Sequence, residues 1–213
     1  MIKGVFFDFD GIIVESTEIK TKAFARLFAP EGQETTKKIV KYHLRNAGVS
    51  RYEKFKFIYK EILRRPLSEE ESRALCDAFT SLVKEGVIEA PYVKGAQEFI
   101  KKYADRYKFF IVSAAPQEEI KEIVEKRRID RYFTAVYGSP WKKSDAVRET
   151  LREKKIEART ALFIGDALSD FLAAKDNGIK FIARIHDNED IFNDVDCLKV
   201  RDLTSLSAIL AQL

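Results

Sequence analysis

An α/β fold, a doubly wound parallel sheet with an all-helical block inserted into it, follows from three observations. Short apolar runs alternate with helical patterns along most of the chain. The first run, Ile2-Lys3-Gly4-Val5-Phe6-Phe7, is almost uninterrupted and stops abruptly at Asp8 and Asp10. That is the mark of a central parallel strand whose carboxyl tip carries polar residues. Residues 15–88, by contrast, hold helical patterns only.

Strands are predicted at Val5–Phe7, Phe109–Val112, Ala135–Tyr137, Ala161–Ile164 and Phe181–Ile185, with a sixth at Cys197–Val200. Each is short, carries apolar residues and is flanked by polar segments. Helical spacing predicts helices at Gly95–Tyr103, Glu118–Lys126, Asp145–Lys154 and Asp170–Asn177, the last stopped by Gly178, and a final helix over Ser205–Leu213. These make a Rossmann-like core of residues 1–14 and 89–213. The inserted unit, residues 15–88, reads as helices at Thr17–Phe28, Thr35–Asn46, Tyr52–Leu63 and Glu69–Glu85. Ser16, Ser50 and Ser68 stand at N-cap positions, and Glu69, Glu70 and Glu71 suit the positive end of the helix dipole. Phe55, Ile58, Tyr59 and Ile62 recur at helical spacing. Such a block is large enough for a small domain.

With 213 residues, 46% hydrophobic and 34% charged, the composition is that of a globular protein. The net charge of +4 is a mild excess, spread along the chain, so no nucleic-acid partner is expected. No apolar stretch reaches membrane-spanning length and no secretory leader pattern is present, so a cytoplasmic protein without a membrane partner is expected. Cys76 and Cys197 lack metal-like spacing; a disulfide between them stays open from sequence, and two reduced, partly buried thiols are the favoured reading. Oligomeric state is left open.

The chemistry gathers at the strand tips. Asp8 and Asp10 repel each other, so a divalent cation, a bound proton, or both in turn must compensate. The second strand runs into Ser113, the third into Ser139-Pro140-Trp141-Lys142-Lys143, and the fourth into Gly165-Asp166 and then Asp170. In a doubly wound sheet these tips converge at the carboxyl edge, where ligands bind. Several carboxylates together suit Mg²⁺, while a serine, a lysine and free amides suit phosphate oxygens.

Asp8-Phe9-Asp10-Gly11-Ile12-Ile13, the strand-end Ser113, a lysine before a helix and Gly165-Asp166-x-x-x-Asp170 together resemble the four motifs of the haloacid dehalogenase-like hydrolases. The layout is similar to the branch containing phosphoglycolate phosphatases and β-phosphoglucomutase, with the helical block as a cap. The resemblance implies Asp8 as nucleophile and Asp10 as general acid and base, its main-chain carbonyl also reaching the metal; that acid–base role calls for an Asp10 pKa raised by burial and neighbouring acids. Ser113 and a lysine would bind the transferring phosphoryl group. Asp8, Asp166 and Asp170 would complete the Mg²⁺ site. The substrate would be a small phosphorylated metabolite.

Lys143 fits the lysine's position just before a helix, with Lys142 as the alternative. Glu15 stands where the family often has aspartate. His43, Arg45, Arg51 and Lys54, around Gly48, read first as a solvated basic face. The competing expectation is that this turn faces the site, Arg51 and Lys54 recognising the leaving group. Trp141 reads as a packing or interface aromatic rather than a substrate platform, and His186 receives no role. The expected activity is phosphatase. A sugar-phosphate mutase is the nearest rival, and a phospho-accepting switch a rival of another class.

Overall fold

The computed structural model describes residues 1–186 and 191–213. Among the described residues the strands are β1 (Gly4–Phe7), β2 (Lys108–Pro116), β3 (Ala135–Ser139), β4 (Ala161–Gly165), β5 (Lys180–Arg184) and β6 (Leu198–Val200). These six run parallel in one sheet in the order β3-β2-β1-β4-β5-β6. β1 is central because every one of its residues is buried, which only a strand covered on both faces tolerates. The chain lays β2 and β3 on one side of β1, then crosses to place β4 on the other. The crevice between the carboxyl ends of β1 and β4 is therefore the topological switch point.

Successive side chains of β1 face opposite ways. Val5 and Phe7 pack with Ile111 and Ile164, under helices α5 (Ala96–Tyr103), α6 (Gln117–Lys126) and α9 (Leu206–Gln212). Phe6 faces the other way, with its ring between Phe110 and Phe163, under α7 (Lys143–Glu153) and α8 (Leu168–Asp176). The predicted strands and helices of the core are all present. β2 runs beyond the expected Val112 because Pro116 pairs with Ser139 after a register shift, so Ser113 sits at a bulge inside the strand.

Between β1 and α5 lie α1 (Thr17–Leu27), α2 (Gln33–Arg45), α3 (Arg51–Phe57) and α4 (Glu69–Glu89). Ser68 and Glu71 form a reciprocal capping box at the start of α4, and Ser50 caps α3. The helix expected over Tyr52–Leu63 instead widens into a π turn at Ile58–Ile62, closed by the Leu63 N–H on the Ile58 carbonyl. α4 continues through Glu89, four residues past the helix end expected at Glu85. The two connections to the core lie side by side: the Glu15 N–H donates to the Pro91 carbonyl (2.9 Å) and Val93 N–H to Ile13 carbonyl (3.0 Å).

The helical block has an aromatic centre of Phe24, Phe28, Phe55 and Phe79, continuous with the apolar cluster on one face of the sheet. His43 stacks on Phe24 at 4.1 Å, and its Nδ1 meets the Lys54 ammonium at 3.1 Å. Burial first, then the charges of Lys54 and Lys20, depress its pKa from 6.5 to about 2. The folded state thus holds His43 neutral while the unfolded chain protonates it below pH 6.5. The unfolded state binds more protons there, so stability present above pH 6.5 falls with falling pH. A loss of roughly 2 kcal/mol between pH 6.5 and 4.5 is expected. His43→Phe should flatten that slope in denaturant titrations at a series of pH values; equal slopes in the two proteins would refute it.

Candidate active site

Asp8 continues the β1 ladder by donating its N–H to the Ile164 carbonyl (3.0 Å), and its Oδ1 accepts from the Phe9 N–H (2.7 Å). The chain then folds tightly back, with Gly11 at φ +78°. A Cβ there would fall 2.1 Å from Asp166 Oδ2, so only glycine lets the β1 loop and the β4 loop come together. Asp166 follows β4 directly. Asp170, in the first turn of α8, accepts the Ala167 N–H on Oδ2 (3.0 Å).

Lys143 opens α7 and reaches across to both sides of the crevice. Its Nζ lies 2.9 Å from Asp8 Oδ2 and 2.6 Å from Asp170 Oδ1, with all three side chains buried. Lys142 precedes the helix and is exposed, so the lysine brought to the carboxylates is Lys143. Asp8, Asp166 and Asp170 each offer a carboxylate oxygen within 4.8 Å of the others. Three buried carboxylates thus face one ammonium. Burial, only partly offset by Lys143 and reinforced by Asp170 and Asp10, pushes the Asp8 carboxyl up to about 7. Burial raises Asp166 and Asp170 as well. Lys143 is itself raised, because the carboxylates' attraction outweighs its own burial. The cluster is short of positive charge, and a hard divalent cation with oxygen preference would supply it.

Asp10 behaves differently. Its carboxylate does not belong to that cluster: Oδ1 accepts from the Ser16 hydroxyl (2.6 Å) and Oδ2 pairs with the Lys20 ammonium. Burial raises its pKa, but the Lys20 charge and the hydrogen bonds from Lys20 and Ser16 prevail and leave it lowered. The expected raised value is therefore corrected: in this arrangement Asp10 is held ionised. Ser16 stands at the N-cap position but makes no capping bond, its hydroxyl being spent on Asp10.

Ser113 is buried at the β2 bulge, its Oγ accepting from the Ala115 N–H (3.1 Å). Glu15 is tied to Arg184 by two contacts of 2.7 and 3.0 Å, and Arg184 also donates to the Gly11 carbonyl (2.6 Å). Trp141 meets Tyr137 edge-on and is 46% exposed.

The basic turn divides. Arg45 is exposed, whereas His43, Arg51 and Lys54 are buried, so the solvated-face reading holds for Arg45 alone. Arg51 and Lys54 line a cavity of about 50 Å³ together with Asp8, Asp10, Lys20, Phe79 and Ala114. The turn is pressed onto the core at Gly48, whose carbonyl accepts from the Ser169 hydroxyl (3.2 Å). A Cβ at residue 48 would lie 2.0 Å from that hydroxyl oxygen and 2.8 Å from Ala167 Cβ, so any side chain would lift the turn away.

Four participants escape the sequence reading: Lys20, Glu119, Arg184 and His186. His186 Nε2 lies 2.9 Å from Asp166 Oδ2 at the tip of β5, a tip that the inventory of strand ends omits. Lys20 stands one helical turn beyond Ser16, a spacing that places both on one face of α1. Glu119 and Arg184 carry no local signal, because their partners are distant in sequence.

Comparison with known proteins agrees with the geometry. Residues 5–184 match the family described as Haloacid dehalogenase-like hydrolase. The chain is 25% identical over 194 residues to the phosphorylated carbohydrates phosphatase of Thermotoga maritima, covering 85% of this chain and 84% of that one. It is 30% identical over 95 residues to a phosphoglycolate phosphatase of Pseudomonas fluorescens, covering 42% and 35% of the two chains. Among solved structures, the β-phosphoglucomutase of Clostridium difficile superposes with a TM-score of 0.80 at 17% identity, covering 100% of this chain and 96% of its own. The magnesium-bound HAD-hydrolase YfnB of Bacillus subtilis gives 0.72 at 15% identity, covering 99% of each. With the match spanning the carboxylates, the lysine and the sheet that gathers them, the chain belongs to the haloacid dehalogenase-like hydrolases.

Proposed function

We propose that this protein is a phosphatase that hydrolyses a small phosphorylated metabolite through an aspartyl-phosphate on Asp8. The observation that carries the reading is Lys143 held between Asp8 and Asp170, beside Asp166. A phosphate dianion and an aspartate nucleophile repel, so attack needs fixed positive charge where they meet. Lys143 is such a charge, buried and preorganised. Asp8, Asp166 and Asp170 would hold Mg²⁺, which would supply further charge neutralisation of the phosphoryl oxygens.

In the first half-reaction an Asp8 oxygen bonds to phosphorus and the bond from phosphorus to the ester oxygen breaks, with Asp10, which must first part from Lys20 and take up a proton from solvent, giving the departing alcohol its proton. In the second, Asp10 takes a proton from water as the water oxygen attacks phosphorus, the bond to Asp8 breaks and inorganic phosphate leaves. The Lys20-paired state of Asp10 suits the second half, where an ionised base is needed. Ser113 would donate its hydroxyl to the transferring group. Residues 15–88 would act as a cap, hinging at the paired connections near Val14–Glu15 and Ala90–Lys94.

The mutase alternative fits less well. It needs a cation free to take a second phosphate, whereas Arg51 is already matched by Glu119.

Phosphate release from a panel of esters in Mg²⁺ tests the reading. Multiple turnovers are expected, lost on chelation and restored by added Mg²⁺. The melting temperature should also rise with Mg²⁺, because the ion relieves carboxylate repulsion. Full activity in excess chelator, with no thermal shift, would refute the metal assignment.

A further inference from the structure

Arg51 is held more firmly than a substrate-binding arginine needs to be. It projects from α3, and its Nη1 and Nη2 meet the two carboxylate oxygens of Glu119 at 2.9 and 2.5 Å. Nη1 also donates to Thr80 Oγ1 (2.7 Å), and the Thr80 hydroxyl donates to the same Glu119 (2.6 Å). The guanidinium lies over the Phe79 ring at 4.6 Å. Both charged side chains are about 5% exposed, so solvent hardly screens this forked pair. Arg51 and Thr80 belong to the helical block, and Glu119 to the first turn of α6 in the core. Arg51 lines the cavity that reaches Asp8; Glu119 stands behind it.

The other cations lining that cavity complete the pattern. Lys20 is matched by Asp10. Lys54 touches only uncharged partners, the ring of His43 and the carbonyls of His43 and Ala47, and its burial, with repulsion from Lys20, lowers it to about 7. The wall that would meet the leaving group is therefore rich in donors, and on it the charges of Arg51 and Lys20 are each matched by a carboxylate.

We propose that Glu119 is a positioning residue for specificity: by cancelling the charge of Arg51 it restricts this site to phosphate esters of uncharged polar alcohols and rejects esters whose leaving group carries a second anion. The inference rests on the phosphatase reading and deepens it. An anion entering beside a fully matched Arg51 would have to displace Glu119 or remain unpaired away from water, and either is unfavourable. A hydroxyl-bearing alcohol meets no such penalty.

Glycerol 3-phosphate and 3-phosphoglycerate test this, since they differ essentially in exchanging a neutral CH₂OH for a carboxylate. The wild-type protein in Mg²⁺ is expected to favour glycerol 3-phosphate in kcat/KM by about tenfold or more. Glu119→Gln keeps the shape and frees the arginine charge, so that ratio should fall by about tenfold, through a lower KM for phosphoglycerate rather than through kcat. A merely structural role for Glu119 would depress both esters alike. Arg51→Met combined with Glu119→Met removes both charges without leaving one buried alone, and should keep the wild-type preference even if the single variant does not fold. Equal wild-type kcat/KM for the two esters overturns the proposal. So does an unchanged ratio in Glu119→Gln, or loss of the preference in the double variant. Absence of phosphate release from these esters and from a generic aryl phosphate would instead overturn the phosphatase reading, and this inference with it.

Discussion

Asp8→Asn should abolish turnover, by roughly four orders of magnitude or more, while making the metal-free protein more stable. The amide keeps the shape of the carboxylate but cannot bond to phosphorus as a nucleophile. The stability gain follows from the raised pKa. Asp8 titrates near 7 in the fold, above its unfolded value of 3.8, so the folded state binds the extra proton. Its contribution is fully present below pH 3.8 and lost as the pH rises through 7. Above that range an ionised Asp8 costs stability, and the amide removes the cost. The gain should be roughly 1–3 kcal/mol near pH 8, moderated by the lost charge pairing with Lys143. Denaturant titration in chelator measures the stability, and single-turnover phosphate release measures the chemistry. Retained turnover would refute the nucleophile; a destabilised variant would refute the account of a cluster short of positive charge.

Lys143→Met should fail in both respects. It leaves Asp8, Asp166 and Asp170 buried together with no ammonium, and truncating one partner of a buried pair typically costs roughly 3–5 kcal/mol. Turnover should also fall by at least about a hundredfold, since the developing phosphoryl charge loses a preorganised cation. Lys142→Ala provides the contrast: the residue is exposed, and surface substitutions of this kind usually change stability by less than about 0.5 kcal/mol. Comparable losses in the two variants would overturn the assignment of Lys143.

The core was legible because its evidence is local. A fully apolar Val5-Phe6-Phe7 ending in acids can hardly be anything but a buried strand with a functional tip, and Asp8, Asp166 and Asp170 meet because strand tips in such a sheet must. Lys143 was legible by its place before a helix. The local chemistry of Asp10 was not. Acids close in sequence suggested a raised pKa, but Lys20 approaches from α1 and reverses the sign. His43 and Lys54 likewise looked like surface charges, because their aromatic burial depends on Phe24 being brought beside them by helix packing.

Order along the chain, then, determined the sheet, the inserted helices and the motif residues, since hydrophobic periodicity and strand-end position are written within a few residues of each other. Only the tertiary structure decided which charges are matched: Arg51 with Glu119 across 68 positions, Arg184 with Glu15 across 169. The physical reason is that electrostatic energy depends on spatial separation and burial, neither of which is carried by sequence distance.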